Sequence, residues 1–414
     1  MMARSDATAT QLICDLTQSW SEVGGGVGTY LRKKREHILS HTPHRHLLIV
    51  PGECDEVEEA GRATVVTIAS PKVPTSPNYR LLLRNGAVRA ALEQFRPDVI
   101  ECEDSYNLPW AVLSHRKRHP DTALVAGYFT DFPTAYVHRP FKRLVGDAIA
   151  GRLRSLAYSY CGSLYRHFDA VYALSENGGA SKLRDLGVSD VGIVPLGVEL
   201  DDFSPDKRDP KLRGSLGLAD SEPLLVYVGR MDRERRAQLV VDAFKRLPRS
   251  LGARLVLIGE GPVRDAIVAS ADPRVIAPGY LTSRSELARW LASADLYVSA
   301  MADETFGVSV IEAQASGLPV VGVAAGAMLD RVDSETGRLG RVDDAGAMAA
   351  NIRAVLEGDR TAMGRAAREH VEGQFSWERT FRTLFSEIYP QAFAARRAAV
   401  QDARQAGYAR GTAA

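Results

Sequence analysis

The chain has 414 residues, 45% of them hydrophobic, which is enough apolar material to bury full cores and calls for two domains. Its 52 Lys and Arg nearly balance 51 Asp and Glu, a formal net charge of +1, so no bulk attraction to nucleic acid or acidic polymers is expected. Cys14, Cys54, Cys102 and Cys161 show no C-x-x-C spacing, which favours a reduced, cytoplasmic protein over a disulfide scaffold or a cysteine zinc site. The start, MMARSDATATQ, lacks the apolar stretch of a signal peptide. No apolar run approaches the roughly 20 residues a membrane helix needs, so attachment to a membrane would be peripheral.

In chain order, residues 12–16, 46–50, 98–102, 123–129 and 169–175 are short apolar runs predicted as buried strands, with helical stretches between them. Residues 190–225 are polar and rich in Pro, Gly and Asp, the composition of an interdomain linker running into the next domain. The pattern then restarts, with predicted strands at 224–230, 253–259, 295–300 and 318–323. A closing helix is predicted from Ser376, a plausible N-cap, to about Arg404, with the last ten residues frayed. Strand–helix alternation favours parallel sheets covered by helices on both faces. The expectation is an α/β protein of two Rossmann-like domains facing across a cleft. Residues 1–196 form the first domain, 197–375 the second, and 376–414 a helical segment returning toward the first.

Within ADETFGVSVIEAQASGLPVV (302–321), two glutamates stand in a mostly small and apolar run. The strand 295–300 should end near Ala300, and a loop with Glu304, Phe306 and Gly307 should lead to a helix from Val308 or Ser309 to Gly317. That places Glu304 at the carboxyl edge of the sheet, where open α/β folds bind ligands, and Glu312 about one turn into the helix. N–H groups at the helix start can receive phosphate oxygens, and Gly307 allows close approach to the backbone. A nucleotide-diphosphate sugar would use all three parts. The bland alternative is that Glu304 caps the helix electrostatically and Glu312 faces water.

The block ETFGVSVIEAQASGLPVVG resembles the E-x7-E signature of retaining glycosyltransferases of family four, which have the GT-B fold. YVGRMDRER (227–235), LVLIGEGPVR (255–264), DLYVSA (295–300), SETGRLG (334–340) and GVELDDFSP (197–205) resemble further family blocks in the same order. The resemblance implies transfer of a hexosyl unit from a UDP- or GDP-linked sugar to a lipid or glycan acceptor, with retention and without a metal or other cofactor. It implies that Glu304 touches the donor sugar, that Glu312 holds the ribose, and that Phe306, Gly307 and Val308 offer backbone amides. Arg230 falls on the family's phosphate-binding arginine, and Arg235 stands where a lysine is usual, replacing a point donor with a planar fork.

In the first half, SEVGGGVGTYLRKKREH (21–37) is not a G-x-G-x-x-G dinucleotide fingerprint. Gly25, Gly26 and Val27 instead fit the family's loop over the diphosphate, or a plain flexible loop before a helix. GYFTDFPTAY (127–136) resembles the block usually written Tyr-His-Thr-Asp-Phe-Pro, but Phe129 stands in the histidine's place and can neither donate nor accept. Asp131 or His138 could compensate, or serve structure alone. Residues 138–169 carry six Arg or Lys against two Asp, with apolar residues between. They form either a solvated helix face or a face for an anionic membrane that presents a lipid acceptor. A different class of function stays open as well, a catalytically silent GT-B protein that binds a nucleotide-sugar or partners an active transferase.

Overall fold

Runs such as LLVYV and RLVLI become strands because β-branched and leucine side chains fill both faces of a sheet that helices cover. The computed structural model describes residues 10–21, 25–73, 76–219, 221–269 and 272–411. The chain divides into two compact units, the first from residues up to 174 with 180–194 and 381 onward, the second from 175–179 and 195–380.

In the first unit the strands are β1 Leu12–Leu16, β2 Arg45–Gly52, β3 Glu56–Ala60, β4 Ala63–Ala69, β5 Lys72–Val73, β6 Ser76–Arg80, β7 Val99–Cys102, β8 Ala123–Tyr128, β9 Ala170–Ala173 and β10 Val191–Ile193. Eight of them form one sheet in the order β10-β9-β8-β7-β1-β2-β4-β3, and β5 pairs with β6 as a separate ribbon. The large sheet departs from the expected parallel pattern at one edge, where β3 runs antiparallel to β4. All five residues of β3 (EVEEA) are exposed, and its three glutamates discourage edge-to-edge pairing with other chains. The helices used below are α1 Gly26–His41, α2 Asn85–Phe95, α3 Leu108–Arg118, α4 Arg139–Val145 and α5 Asp147–Tyr165.

The second unit has β11 Leu224–Val228, β12 Arg254–Ile258, β13 Val275–Gly279, β14 Leu296–Val298, β15 Val320–Val323 and β16 Gly337–Gly340. All are parallel, in the order β13-β12-β11-β14-β15-β16. Its core joins Tyr227, Phe244, Leu257 and Val321 with the helix Ala345–Glu357 through Met348 and Ile352. In each sheet the strand order reverses beside the first strand, at β1/β7 and at β11/β14, and the carboxyl ends there open a crevice.

The nine predicted strands are present. Among the strands not anticipated, β4 (ATVVTIA) carries a clear β-branched signal, whereas β13 contains Pro278, β16 begins and ends with glycine, and β10 is three residues inside the polar stretch read as linker. The closing helix begins with Ser376, whose Oγ accepts from Arg379 N at 3.1 Å. Its last segment, Tyr389–Gly411, extends beyond the expected fraying point, and residues 412–414 lie outside the described residues.

Charges are buried at the β1/β7 crevice. Lys34 Nζ lies 2.5 Å from Asp15 Oδ1 and 2.9 Å from Glu101 Oε2, with all three side chains wholly buried. Tyr30 and Tyr172 donate to Glu101 Oε1 at 2.7 Å each, and Tyr389 donates to Oε2 at 2.8 Å. His46 Nε2 lies 2.8 Å from Asp15 Oδ2. Burial acts against the Asp15 charge, yet Lys34 and His46 hold its carboxyl below the usual range. Glu103 has no hydrogen-bond partner among the described residues, and burial, with Asp15 and Glu101 nearby, pushes its carboxyl well up. The network ties β1, α1, β2, β7, β9 and the closing helix into one unit.

Candidate functional site

The second unit builds a polar crevice from the loops after β11, β12 and β14. After β11, Met231 N donates to Glu260 O at 2.8 Å, and Arg235 N donates to Asp232 Oδ1 at 2.8 Å, so the turn through Arg230 is held at both ends. Gly259 has φ +141°, and a Cβ there would lie 2.0 Å from the Gly229 carbonyl oxygen. Only glycine lets these two loops approach so closely. The Arg230 side chain is about half exposed, its Nε 3.4 Å from Asp232 Oδ2. Arg235 Nη1 is 4.0 Å from Glu304 Oε2; burial weakens its charge, but Glu304 together with Tyr227, Tyr297 and Glu234 outweighs burial and raises its pKa.

After β14, Gly307 in the left-handed region (φ +87°) caps the helix Val308–Ala315, and Val310 N and Ile311 N donate to its carbonyl at 3.0 and 3.2 Å. The N–H groups of Val308 and Ser309 precede the first intrahelical donor, Val310 N, so they face out of the helix end, where its dipole favours an anion. Tyr297 donates to Ser309 Oγ at 2.8 Å and fixes this end to β14. Glu312 is 3% exposed and accepts from Arg284 Nη2 at 2.7 Å. Burial raises its carboxyl pKa, and Arg284 opposes that rise. The alternative in which Glu312 faces water is therefore excluded. The Phe306 ring is buried under Arg331, whose guanidinium carbon is 4.3 Å from the ring centroid and whose Nε donates to Phe306 O at 3.0 Å. Burial lowers the Arg331 pKa to about 10.

In the first unit, Gly25 is the residue before α1 with φ +96°, where a Cβ would meet Tyr79 Oη at 2.8 Å, and Gly26 and Val27 form the first turn. Residues 22–24, including Gly24, lie outside the described residues. The preceding loop is pinned by Asp104, which accepts from Gln18 N at 2.7 Å, Thr17 Oγ1 at 3.0 Å and Ser19 Oγ at 3.1 Å. Phe129 packs into the core, 5.1 Å from the Tyr30 ring and 6.1 Å from Tyr172. Asp131 is 4% exposed and accepts from Lys182 Nζ at 2.8 Å, from Tyr158 Oη and from Thr134 N. Burial opposes its charge, but Lys182 and these donors hold the carboxyl below its ordinary value. His138 is engaged with Asp147 at 3.1 Å.

Residues 24–202 match the profile of Glycosyltransferase Family 4, and residues 222–358 match that of Glycosyl transferases group 1. A GDP-mannose-dependent alpha-mannosyltransferase of Mycobacterium tuberculosis is 31% identical over 364 residues, 85% of this chain and 89% of that protein. The chain belongs to the family 4, group 1 glycosyltransferases. A second M. tuberculosis relative, a GDP-mannose-dependent alpha-(1-6)-phosphatidylinositol dimannoside mannosyltransferase, is 28% identical over 87% of this chain and 91% of its own length. Sucrose-phosphate synthase from Thermosynechococcus elongatus shares the GT-B fold, with a TM-score of 0.74 and 22% identity over 93% of this chain and all of that one. The protein is a nucleotide-sugar-dependent transferase of a retaining family.

Several residues that shape this transferase's crevice were not singled out from sequence. Arg284 and Arg331 stand 28 and 25 residues in sequence from the groups they bind, with no local motif to mark them. Ser175 and Asn177 are a third case. Ser175 Oγ donates to Thr305 O at 2.9 Å, and Asn177 donates through N and Nδ2 to Asp330 at 2.9 and 2.6 Å. Ser175 braces the loop that carries Glu304, and Asn177 braces the short helix Met328–Arg331, from a segment more than a hundred residues earlier. The glycines of LVLIGEGPVR were the one available signal for the β12 loop.

Proposed function

We propose that the protein transfers a mannosyl unit from GDP-mannose to a lipid or lipid-linked glycan acceptor, with retention and without a metal or other cofactor. The observation that carries this is the donor crevice of the second unit, with two carboxylates, each beside an arginine, flanking an open helix N-terminus. Glu304 receives hydroxyls of the donor sugar, and Glu312, whose charge Arg284 supports against burial, accepts from the ribose. The amides at Phe306, Gly307 and Val308, with Arg230 and Arg235, hold the diphosphate. The bond from the anomeric carbon to the β-phosphate oxygen breaks as the acceptor oxygen bonds to the same carbon, and the acceptor proton passes to the leaving phosphate. The two arginines stabilise the charge that develops there. Since the phosphate serves as base, the buried Phe129 removes no required group. Asp131 is a positioning residue, because its carboxylate is already occupied in fixing the segment after β8 to α5 and Lys182. The choice of GDP-mannose follows the mannosyltransferase relatives.

The acceptor class is supported by α4 and α5. Leu144, Leu156, Ile149 and Phe141 are 77%, 67%, 51% and 41% exposed, interleaved with Arg139, Lys142, Arg152 and Arg154. Apolar side chains among cations suit an anionic bilayer surface, with each cation contributing about 1 kcal/mol. No described helix is long and apolar enough to cross a membrane.

Incubation with GDP-mannose, other GDP-sugars and UDP-sugars tests the proposal. GDP release, faster with lipid acceptors and abolished by Glu304→Ala in a folded protein, is the expected outcome. Tight donor binding without turnover on any acceptor would instead assign the silent role. Sedimentation with phosphatidylglycerol vesicles should fall at high salt and in Leu144→Ser/Leu156→Ser; no sedimentation at low salt would remove the membrane part.

A further inference from the structure

One group of metal-ligating side chains in the first unit lies outside the crevices described above. Glu93 is on α2, His115 is on α3, and His119 is the residue that ends α3. His119 Nε2 is 2.7 Å from Glu93 Oε2, and His115 Nδ1 is 4.0 Å from the same oxygen. One ligand atom from each of the three residues falls within 4.8 Å of the other two. The i, i+4 spacing stacks the two imidazoles, with centroids 4.4 Å apart, on one face of α3.

His115 supplies the second, independent observation. Its side chain is wholly buried, and neither ring nitrogen has a hydrogen-bond partner among the described residues. An imidazole N–H left unpaired in the interior costs about 1–3 kcal/mol, so a buried histidine with two unpaired nitrogens lacks a partner the site is shaped to receive. Burial also keeps this ring neutral, the form that ligates a metal. Arg96 lies 3.8 Å from Glu93 Oε1, which leaves Oε2 facing the histidines. The carbonyl end of α3 adds partial negative charge beside them, while Arg96 and Arg118 supply the opposing positive charge.

We propose that Glu93, His115 and His119 form a divalent transition-metal site of the Zn²⁺ type that clips α2 to α3. Two imidazoles and one carboxylate are a common three-residue zinc set that leaves a fourth position for water. Tetrahedral bonds of about 2.0–2.1 Å place ligand atoms about 3.3 Å apart. A bound ion requires the Glu93–His119 contact of 2.7 Å to open to that distance and the Glu93–His115 gap of 4.0 Å to close to it. The half-exposed Glu93 and partly exposed His119 give an ion its entry path. A site of this kind acts on the stability of the first unit and not on the transfer chemistry.

The test uses the full chain stripped of metal, titrated with Zn²⁺ by calorimetry and with Co²⁺ by visible absorption. One equivalent should bind, with the Co²⁺ spectrum of a low-coordinate nitrogen–oxygen site, and Zn²⁺ should raise the melting temperature of the wild type. His119→Gln and Glu93→Gln, both at partly exposed positions, should weaken binding by more than about tenfold, the lower limit seen even for loss of an outer-shell partner. They should also cancel the Zn²⁺-dependent rise in melting temperature while leaving donor binding unchanged. Failure of the wild type to bind Zn²⁺, or unchanged stoichiometry and affinity in both variants, would overturn the proposal.

Discussion

Lys34→Met isolates the buried charge network of the first unit. Lys34 is wholly buried between Asp15 and Glu101, so the substitution leaves two carboxylates in the interior without their shared cation. Removing one partner of such an arrangement costs about 3–5 kcal/mol, because the charge left behind stays desolvated. For a unit of roughly 150–250 residues, each kcal/mol moves the midpoint by about 2–4 °C, so the thermal transition of this unit should fall by about 6–20 °C. Glu101 keeps three tyrosine donors, whereas Asp15 keeps only His46, so most of the penalty belongs to Asp15. Lys34→Met/Asp15→Asn should therefore be more stable than Lys34→Met alone.

The pH dependence has a definite sign. In the wild type the Asp15 carboxyl is depressed, so its contribution is present above its unfolded pKa and is lost as pH falls through the folded value. Without Lys34 the carboxyl is raised instead, and the variant's deficit should shrink as the pH is lowered toward 5. Differential scanning calorimetry from pH 5 to 8 measures both effects. A Lys34→Met transition within about 1 kcal/mol of wild type at pH 7, with no pH trend, would show that the ammonium is not the cation these carboxylates depend on.

Three further outcomes are expected. Gly259→Ala places a methyl group against the Gly229 carbonyl and should cost the second unit about 1–3 kcal/mol, with weaker GDP binding; Gly214→Ala, with open space at its Cβ, is the matched control. Equal melting temperatures for these two variants would contradict the close approach of the β11 and β12 loops. Arg284→Met lets burial raise the Glu312 carboxyl further, so calorimetric GDP affinity should fall at pH 6 and recover toward pH 8, while wild type stays flatter. A flat profile in the variant would separate Glu312 from donor binding. Lys182→Met removes the cation holding Asp131 ionised, so acid unfolding followed by circular dichroism should begin at higher pH than in wild type; coincident acid midpoints would count against that role.

Much of the second unit was legible in the sequence because its information is local. Glu304, Gly307 and Glu312 occupy one strand–loop–helix passage, where apolar runs, a glycine and a helix start fix the geometry over a dozen residues. The same holds for the strands Leu12–Leu16 and Leu224–Val228, whose apolar runs need only a sheet to join. Arg284 beneath Glu312, Arg331 over Phe306, Ser175 behind Thr305 and Asn177 beside Asp330 carry no such mark, since their meaning lies in partners 25 to 153 residues away. Phe129 shows the difference most clearly. As text it is a histidine missing from a familiar block; in three dimensions it is an aromatic core residue between Tyr30 and Tyr172. The sequence by itself determined the α/β architecture, the strand–helix alternation and the chemistry of the donor loop, because periodicity and backbone requirements act between near neighbours. Tertiary structure alone decided which charges are buried, which arginine serves which carboxylate, and that Lys34, His46 and Tyr389 meet at one crevice, because desolvation and ion pairing depend on distance in space and not along the chain.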